Sequence, residues 1–338
     1  MNNNPLLLIG AILGLFASIP GHLRAEQVVK IDGSSTVYPI TEAVAEEFQK
    51  ATGTKVTVGI SGTGGGFKKF VRGETDVQDA SRPIKEEEVK AAKEGGVEYL
   101  ELPIAYDALT VVVNSKNDWV GAIKVSDLKK IWEPEAQGKI TKWNQVRPEW
   151  PDKEIKLYGA GSDSGTFDYF NEAINGDKAN ARADVQSSEN DNVLVSCVAK
   201  DPNAMAYFGF AYYQANAQRL RSLPVVGTSG VAVAPSIKTA QNGSYAPLTR
   251  PLFIYVNDKE MRSNEAIRSF VSFTIGNGLR FVAEAGYIPL PADTYRIVES
   301  KLYLHILSTS FGGDLPVGLT IGEALRRSFD DTRKPEFR

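Results

Sequence analysis

Four short segments of the chain concentrate small hydroxyls and glycines where a strand should hand over to a helix. They are Gly33-Ser34-Ser35-Thr36, Ser61-Gly62-Thr63-Gly64-Gly65-Gly66, Ala80-Ser81-Arg82-Pro83 and Gly161-Ser162-Asp163-Ser164-Gly165-Thr166. A helix start leaves its first backbone N–H groups unpaired and carries partial positive charge, so it attracts anions. Glycine lets the backbone approach a ligand closely, and Ser or Thr adds a short donor without adding charge. One such segment alone is an ordinary helix cap or turn. Four together, with an arginine beside a proline at one of them, describe a site for a small oxyanion. The candidate ligands are Ser34, Ser35, Thr36, Thr63, Gly64, Ser81, Arg82, Ser162, Ser164, Gly165 and Thr166. The guanidinium of Arg82 suits bidentate recognition of an oxyanion; its alternative use is an ion pair with one of Glu86 to Glu88.

The same residues do not assemble an enzyme. Beyond the first 25 residues the chain has one histidine, His305, far along the sequence from all four segments. Gly161-Ser162-Asp163-Ser164-Gly165 has aspartate where a nucleophile elbow needs serine, and no lysine follows Gly165 as a phosphate loop requires. Gly62 to Lys68 fails the dinucleotide pattern, and His or Cys at metal-ligand spacing is absent. No cofactor and no metal are expected. A serine hydrolase or phosphatase is the remote alternative, which turnover of generic phosphate or carboxylic esters would reveal. The single cysteine, Cys197, excludes an intramolecular disulfide and reads as a buried, inert thiol.

The elements that must position these loops alternate between strand-like and helix-like, which argues an α/β architecture with mainly parallel sheets. Strands are expected at Val28–Ile31, Lys55–Ile60 and Asp76–Ala80, with helices from Pro39, from Phe67 and over Lys85–Lys93. Two apolar runs, Ala108–Val113 and Pro251–Val256, suit buried strands and read as the connections between two lobes. The first lobe then combines residues 26–107 with 255–338, and 108–254 form an insert. The C-terminal segment from Tyr295, with a helical pattern at Ile321–Phe329, is expected to pack on the first lobe.

A chain of 338 residues fits two domains of about 150 residues each. Its net charge of −3 gives no global field toward nucleic acid or anionic membrane, so any anion site must be built locally. Leu6 to Ile19 is almost wholly apolar and Leu23-Arg24-Ala25 could end a cleavable leader, so residues 1–25 read as a secretory signal peptide. The leader lacks the usual positive start and ends without a lipid-bearing cysteine. A soluble, monomeric periplasmic protein is expected.

These residues resemble the periplasmic phosphate-binding proteins of high-affinity phosphate ABC transporters, the PstS-like and SphX-like family. The likeness runs through Gly33-Ser34-Ser35-Thr36-Val37-Tyr38-Pro39, Ser61 to Phe70, Ala80-Ser81-Arg82-Pro83-Ile84, Ser162 to Phe167, Ala206 to Tyr213 and Pro251 to Val256. It implies a type II periplasmic-binding-protein fold, two α/β lobes closing by a hinge over a dehydrated anion in a central cleft. It also implies delivery of inorganic phosphate to a membrane permease of an ABC transporter. By position, Thr36 or Ser35 and the Ser164-Gly165-Thr166 triplet match residues that hold phosphate by hydroxyl and backbone N–H. A family serine falls on Gly64, leaving backbone donation there, with Thr63 a substitute. The best-known members carry an aspartate where this chain has Arg82 and an arginine where it has Ala160. That aspartate accepts the proton of bound phosphate and rejects sulfate. Here the counter-charge falls to Asp32, Asp79, Asp107 or Asp163. Sulfate or molybdate capture by the same fold, and phosphate sensing without transport, are the nearer alternatives.

Overall fold

The computed structural model describes residues 28–162, 164–177, 180–188, 190–311, 321–322 and 324–326. The expected leader, Asp163 and the charged C-terminal end lie outside the described residues. The chain opens with β1 (Val28–Gly33), α1 (Tyr38–Thr52), β2 (Lys55–Val58), α2 (Thr63–Phe70), β3 (Val77–Ala80) and α3 (Glu86–Glu94). A sixteen-residue strand, β4 (Tyr99–Asn114), follows and is buried along its whole length. Then come β5 (Ile123–Lys124), α4 (Val125–Trp132), α5 (Trp143–Val146), β6 (Lys156–Ala160), α6 (Gly165–Asn175), β7 (Gln186–Ser188) and β8 (Ala204–Gly209). The chain returns through β9 (Leu220–Ser222), β10 (Val225–Val226), β11 (Ala232–Val233), β12 (Thr249–Asn257) and β13 (Ile288–Pro289).

The main sheet runs β2-β1-β3-β12-β4-β8-β6-β7, with β9 and β13 also paired to β4. Its two halves meet on β4. Tyr99 to Ala108 pair with β12, and Leu109 to Val113 pair with β8. The pairing is mixed, not mainly parallel: β1, β2 and β3 are parallel, as are β6, β7 and β8, but β4 and β12 run antiparallel to each other and to their outer neighbours. The reason is directional. One strand carries the chain out of the first lobe and the other carries it back. Their largely apolar runs reflect burial on both faces, a pattern more often met in parallel strands.

Packing divides at the same crossing. One hydrophobic cluster takes Val29, Phe48, Phe67, Leu102, Ala108, Phe253, Phe270 and Val298. Another takes Leu109, Trp132, Trp143, Phe170, Tyr207 and Leu248, and a smaller one on the opposite face takes Val112, Leu194, Val198 and Phe208. Along the two crossing strands the core therefore changes hands between Ala108 and Leu109 on the way out, and between Leu248 and Leu252 on the way back, while Phe210 and Ala240 of the intervening stretch also pack in the first cluster. Ile321, Ala324 and Leu325 are buried in the first cluster, which places that part of the C-terminal segment on the first lobe. Among the described residues no helix is long and apolar enough to cross a membrane.

Two local expectations change. The glycine-rich segment after β2 is not a loop ahead of a helix at Phe67: Thr63 to Gly66 are themselves the first turn of α2. Glycine disfavours helix, but here backbone proximity decides, because a Cβ on Gly66 would fall 2.7 Å from the Gly33 Cα and 2.0 Å from Gln78 Oε1. Cys197 is half-buried on the helix Asp191–Lys200, since the apolar run around it is helical and shows its sides unequally to the core.

Candidate functional site

Each candidate loop is aimed by a strand that ends at the cleft. β1 delivers Ser34, whose N–H donates to the Asp79 carbonyl at 2.9 Å, locking the loop to the end of β3. Ser34 Oγ then accepts from the Thr36 amide at 3.2 Å. The second lobe repeats this arrangement: Ser164 is the N-cap of α6 and its Oγ accepts from the Thr166 amide at 3.1 Å. In both lobes a serine two residues back turns the following backbone so that a threonine hydroxyl stands at a helix start.

The first turn of α2 is pinned from below. Gln78 Nε2 donates to the Thr63 carbonyl at 3.0 Å and to the Asp79 carbonyl at 2.8 Å. Thr63 Oγ1 and Ser81 Oγ lie 3.1 Å apart, and the Ser81 amide donates to Thr63 Oγ1 at 3.2 Å. The hydroxyls of the second and third loops thus form one unit. Arg82 lies over the Phe67 ring at 5.5 Å and pairs with Glu88 through Nη1–Oε2 and Nη2–Oε1 contacts of 2.8 Å each.

These pieces enclose a polar cavity of about 510 Å³. Its wall contains Ser34, Ser35, Thr36, Thr63, Gly64, Ser81 and Arg82, and also Ser61, Lys68, Lys85 and Arg250. Asp168, Glu172 and Asp177 face it from the second lobe. A smaller cavity of about 270 Å³ shares Ser35 and Thr36 and adds Asp107, Ser164, Thr166, Asp191 and Tyr287. The shared residues make the two cavities one cleft between the lobes. Gly165 is the first residue of α6. Ser162 is not brought to this cleft; it lines a separate cavity of about 290 Å³ with Trp132, Phe167 and Tyr207.

Arg250 had no local signal pointing to it. It stands at the start of β12 in register with Asp107 on β4. Its Nε lies 3.3 Å from Asp107 Oδ2, its Nη2 donates to Thr36 Oγ1 at 2.9 Å, and its guanidinium sits 3.9 Å over the Tyr169 ring. Both side chains of the pair are nearly buried. The visible hint is positional: a charged residue stands at the cleft end of each connecting run, Asp107 before Ala108 and Arg250 before Pro251.

The candidate counter-charges separate by environment. Burial would raise the pKa of Asp32, but the Lys69 ammonium and the Ser61 bonds outweigh it and hold the carboxyl below its ordinary range. Ser61 donates to Asp32 Oδ1 through its amide at 2.9 Å and its hydroxyl at 2.6 Å, so that carboxylate is already engaged. Asp79 is wholly buried behind the first-lobe loops, and neither carboxyl oxygen has a hydrogen-bond partner. Asp107 is the buried carboxylate lining the cleft. Burial raises its pKa, and Arg250 opposes the rise. His305 pairs with Asp258, its Nδ1 2.5 Å from Oδ1, and does not line either cavity of the cleft. Among the described residues no cluster of three or more His, Cys, Asp or Glu could hold a metal ion.

Two α/β lobes, two crossing strands and a polar cleft ringed by helix starts define a solute-binding protein of the type II periplasmic-binding-protein fold. A family model described as a PBP superfamily domain matches residues 20–277. The chain is 47% identical to the protein SphX of Synechocystis sp. over 324 residues, which cover 96% of this chain and 95% of that protein. It is 40% identical to the phosphate-binding protein PstS of Staphylococcus saprophyticus, covering 88% of this chain and 90% of that one. A crystal structure described as a possible phosphate binding protein from Planctomyces limnophilus superposes with a TM-score of 0.77 at 42% identity, covering 82% of this chain and 98% of that one. The chain belongs to the PBP superfamily and, within it, to the family of SphX and PstS phosphate-binding proteins.

Proposed function

We propose that this protein captures inorganic phosphate between its lobes and delivers it to the permease of an ABC transporter. The observation that carries the reading is the convergence of the α1, α2 and α6 starts and the Ser81-Arg82 loop on one cleft. Three helix starts from two lobes present amides and hydroxyls to a common space, which suits an anion with several acceptor oxygens. The lobes are residues 26–107 with 255–338 and the insert 108–254, each boundary shifted slightly to where the cores change hands, closing about β4 and β12. The protein acts as a monomer outside the cytoplasm, exported by the leader within residues 1–25, and performs no catalysis.

The phosphate ligands in this reading are Ser34, Ser35, Thr36, Thr63, Gly64, Ser81, Arg82, Ser164, Gly165 and Thr166. Ser162, which lines the neighbouring cavity, is left out of the set. Asp107 takes the role of proton acceptor. It is the cleft carboxylate that is buried, whereas Asp168 and Asp191 are half-buried and Glu172 and Asp177 are exposed. An ionised carboxylate only accepts, so it favours an oxyanion that still carries a proton over one that has none.

Calorimetry of the secreted protein with phosphate, arsenate, sulfate and molybdate over pH 5–9 tests the proposal. Phosphate and arsenate should bind, and sulfate should compete poorly. Sulfate competing as well as phosphate would overturn the phosphate reading, and turnover of phosphate esters would overturn the binding-protein reading.

A further inference from the structure

We infer that Arg250 is a positioning residue that sets the Thr36 hydroxyl as a donor to the bound anion and joins it mechanically to the start of α6. The inference rests on the phosphate reading for its probe, not for its geometry.

A guanidinium can only donate, and a hydroxyl has one proton and two lone pairs. Arg250 Nη2 donates to Thr36 Oγ1 at 2.9 Å, so the threonine oxygen is occupied as an acceptor and its own proton is left to give away. Among the described residues that hydroxyl has no other partner. Thr36 lines both parts of the cleft, so the space into which it can donate is the anion cavity. Without Arg250 the hydroxyl could turn its proton elsewhere and offer a lone pair to the anion, which repels.

The other contacts of Arg250 reach different parts of the molecule. Its Nε holds Asp107 across the β4–β12 register, at the crossing of the two lobe connections. Its flat face lies over Tyr169, one turn inside α6, and the Tyr169 hydroxyl donates to the Pro247 carbonyl at 2.7 Å, three residues before Arg250. One planar cation therefore touches the first-lobe anion loop, the hinge and the second-lobe anion helix. Lysine could keep the charge but not the fork or the stacking plane.

A double-mutant cycle read by calorimetry tests this, using whichever of phosphate, arsenate, sulfate and molybdate binds the wild type. Absence of phosphate binding by the wild type counts against the proposed function alone, and the cycle then proceeds with the anion that does bind. Arg250→Lys should weaken binding at least tenfold in the wild type and by a factor at least threefold smaller in a Thr36→Val background, because the part of its effect that passes through that hydroxyl is already gone. It should also reduce the contraction on ligand binding seen by small-angle scattering. Equal fold-losses in both backgrounds, or an affinity within twofold of wild type, would overturn the inference. Where Arg250→Lys fails to fold, Tyr169→Phe in place of wild type as the reference and Tyr169→Leu beside it separate loss of the Pro247 bond from loss of the ring beneath the guanidinium, and the pair is read in the same cycle with the same two outcomes.

Discussion

Arg82 and Glu88 form a two-pronged ion pair that uses one edge of the guanidinium and leaves the other for the cleft. Glu88 takes Nη1 and Nη2 at 2.8 Å each, and the second Nη1 proton goes to the Pro83 carbonyl at 3.0 Å. The Nε–H and the remaining Nη2–H then form the edge next to Gly64, whose Cβ position lies 3.8 Å from Nη2. Glu88 also accepts from the Lys85 amide at 2.9 Å, so the carboxylate that aims the arginine is itself held by the start of α3. The ion pair and the ligand role are therefore compatible, since they use different N–H groups of one cation. Arg82→Ala should weaken phosphate binding by about 2–5 kcal/mol, the cost of deleting one partner of a desolvated charge contact. Titration calorimetry measures it, and a change smaller than twofold would remove Arg82 from the site.

Gly66→Ala should destabilise the protein and weaken binding together. The new methyl would meet the Gly33 backbone at 2.7 Å and the buried Gln78 side chain, whose amide is already bonded twice. Overpacking of this kind costs about 1–3 kcal/mol. Relief would come from moving α2 away from β1, which also spreads the loops at Ser34 and Thr63. Denaturant unfolding should show a lower midpoint, and calorimetry a weaker phosphate site; a wild-type midpoint would mean that the two backbones separate freely.

Local chemistry made much of the candidate site readable, and long-range pairing hid the rest. Ser34, Thr36, Ser164 and Thr166 could be recognised because a helix start is a local event, written within three or four residues. The Gly62–Gly66 segment misleads for the same reason: its glycines read as a turn, whereas their function is to let α2 approach Gly33, thirty-three residues earlier in the chain. Arg250 depends on a strand register with Asp107 that joins positions 143 residues apart, and no window of sequence contains both. Strand direction was hidden likewise. The apolar runs at 108–113 and 251–256 show burial on both faces, but burial does not say which way the neighbour runs. Ser162 and Ser164 are two residues apart and equivalent in composition, yet they line different cavities, a distinction made only by the local turn.

Asp79 should make the folded state less stable as pH rises. Burial pushes its carboxyl up to about 8; the nearby Thr41 hydroxyl offsets a little of this, and the charge of Asp32 adds to it. The folded protein then holds a proton that the unfolded chain has released above its ordinary carboxylate pKa of about 3.9. Stability from this group therefore falls between roughly pH 4 and pH 8. Asp79→Asn cannot ionise, so its stability relative to wild type should be greater at pH 9 than at pH 5. Denaturant melts at the two pH values compare them, and a pH-independent difference would show that Asp79 is ionised in the folded protein throughout.

Asp107 should govern discrimination between phosphate and sulfate, in a direction set by its environment. Burial raises its pKa while Arg250, at 3.3 Å, opposes the rise. Above that pKa the carboxylate accepts the proton of a phosphate hydroxyl and faces fully ionised sulfate with two lone pairs opposed. Below it, the protonated acid can donate to sulfate, and the barrier disappears. The ratio of phosphate to sulfate affinity should therefore fall as the solution is acidified through the raised pKa of Asp107. Asp107→Asn offers a donor at every pH, so it should bind sulfate better than wild type does and flatten the pH dependence of the ratio. Leaving a buried acceptor contact unmade costs about 1–3 kcal/mol, a change of roughly five- to more than hundredfold in the ratio at neutral pH. Competition calorimetry with the two anions measures it directly. If Asp107→Asn keeps the wild-type ratio while Arg82→Ala loses binding, the proton acceptor lies elsewhere in the cleft, with Asp168 and Asp191 the next carboxylates to substitute.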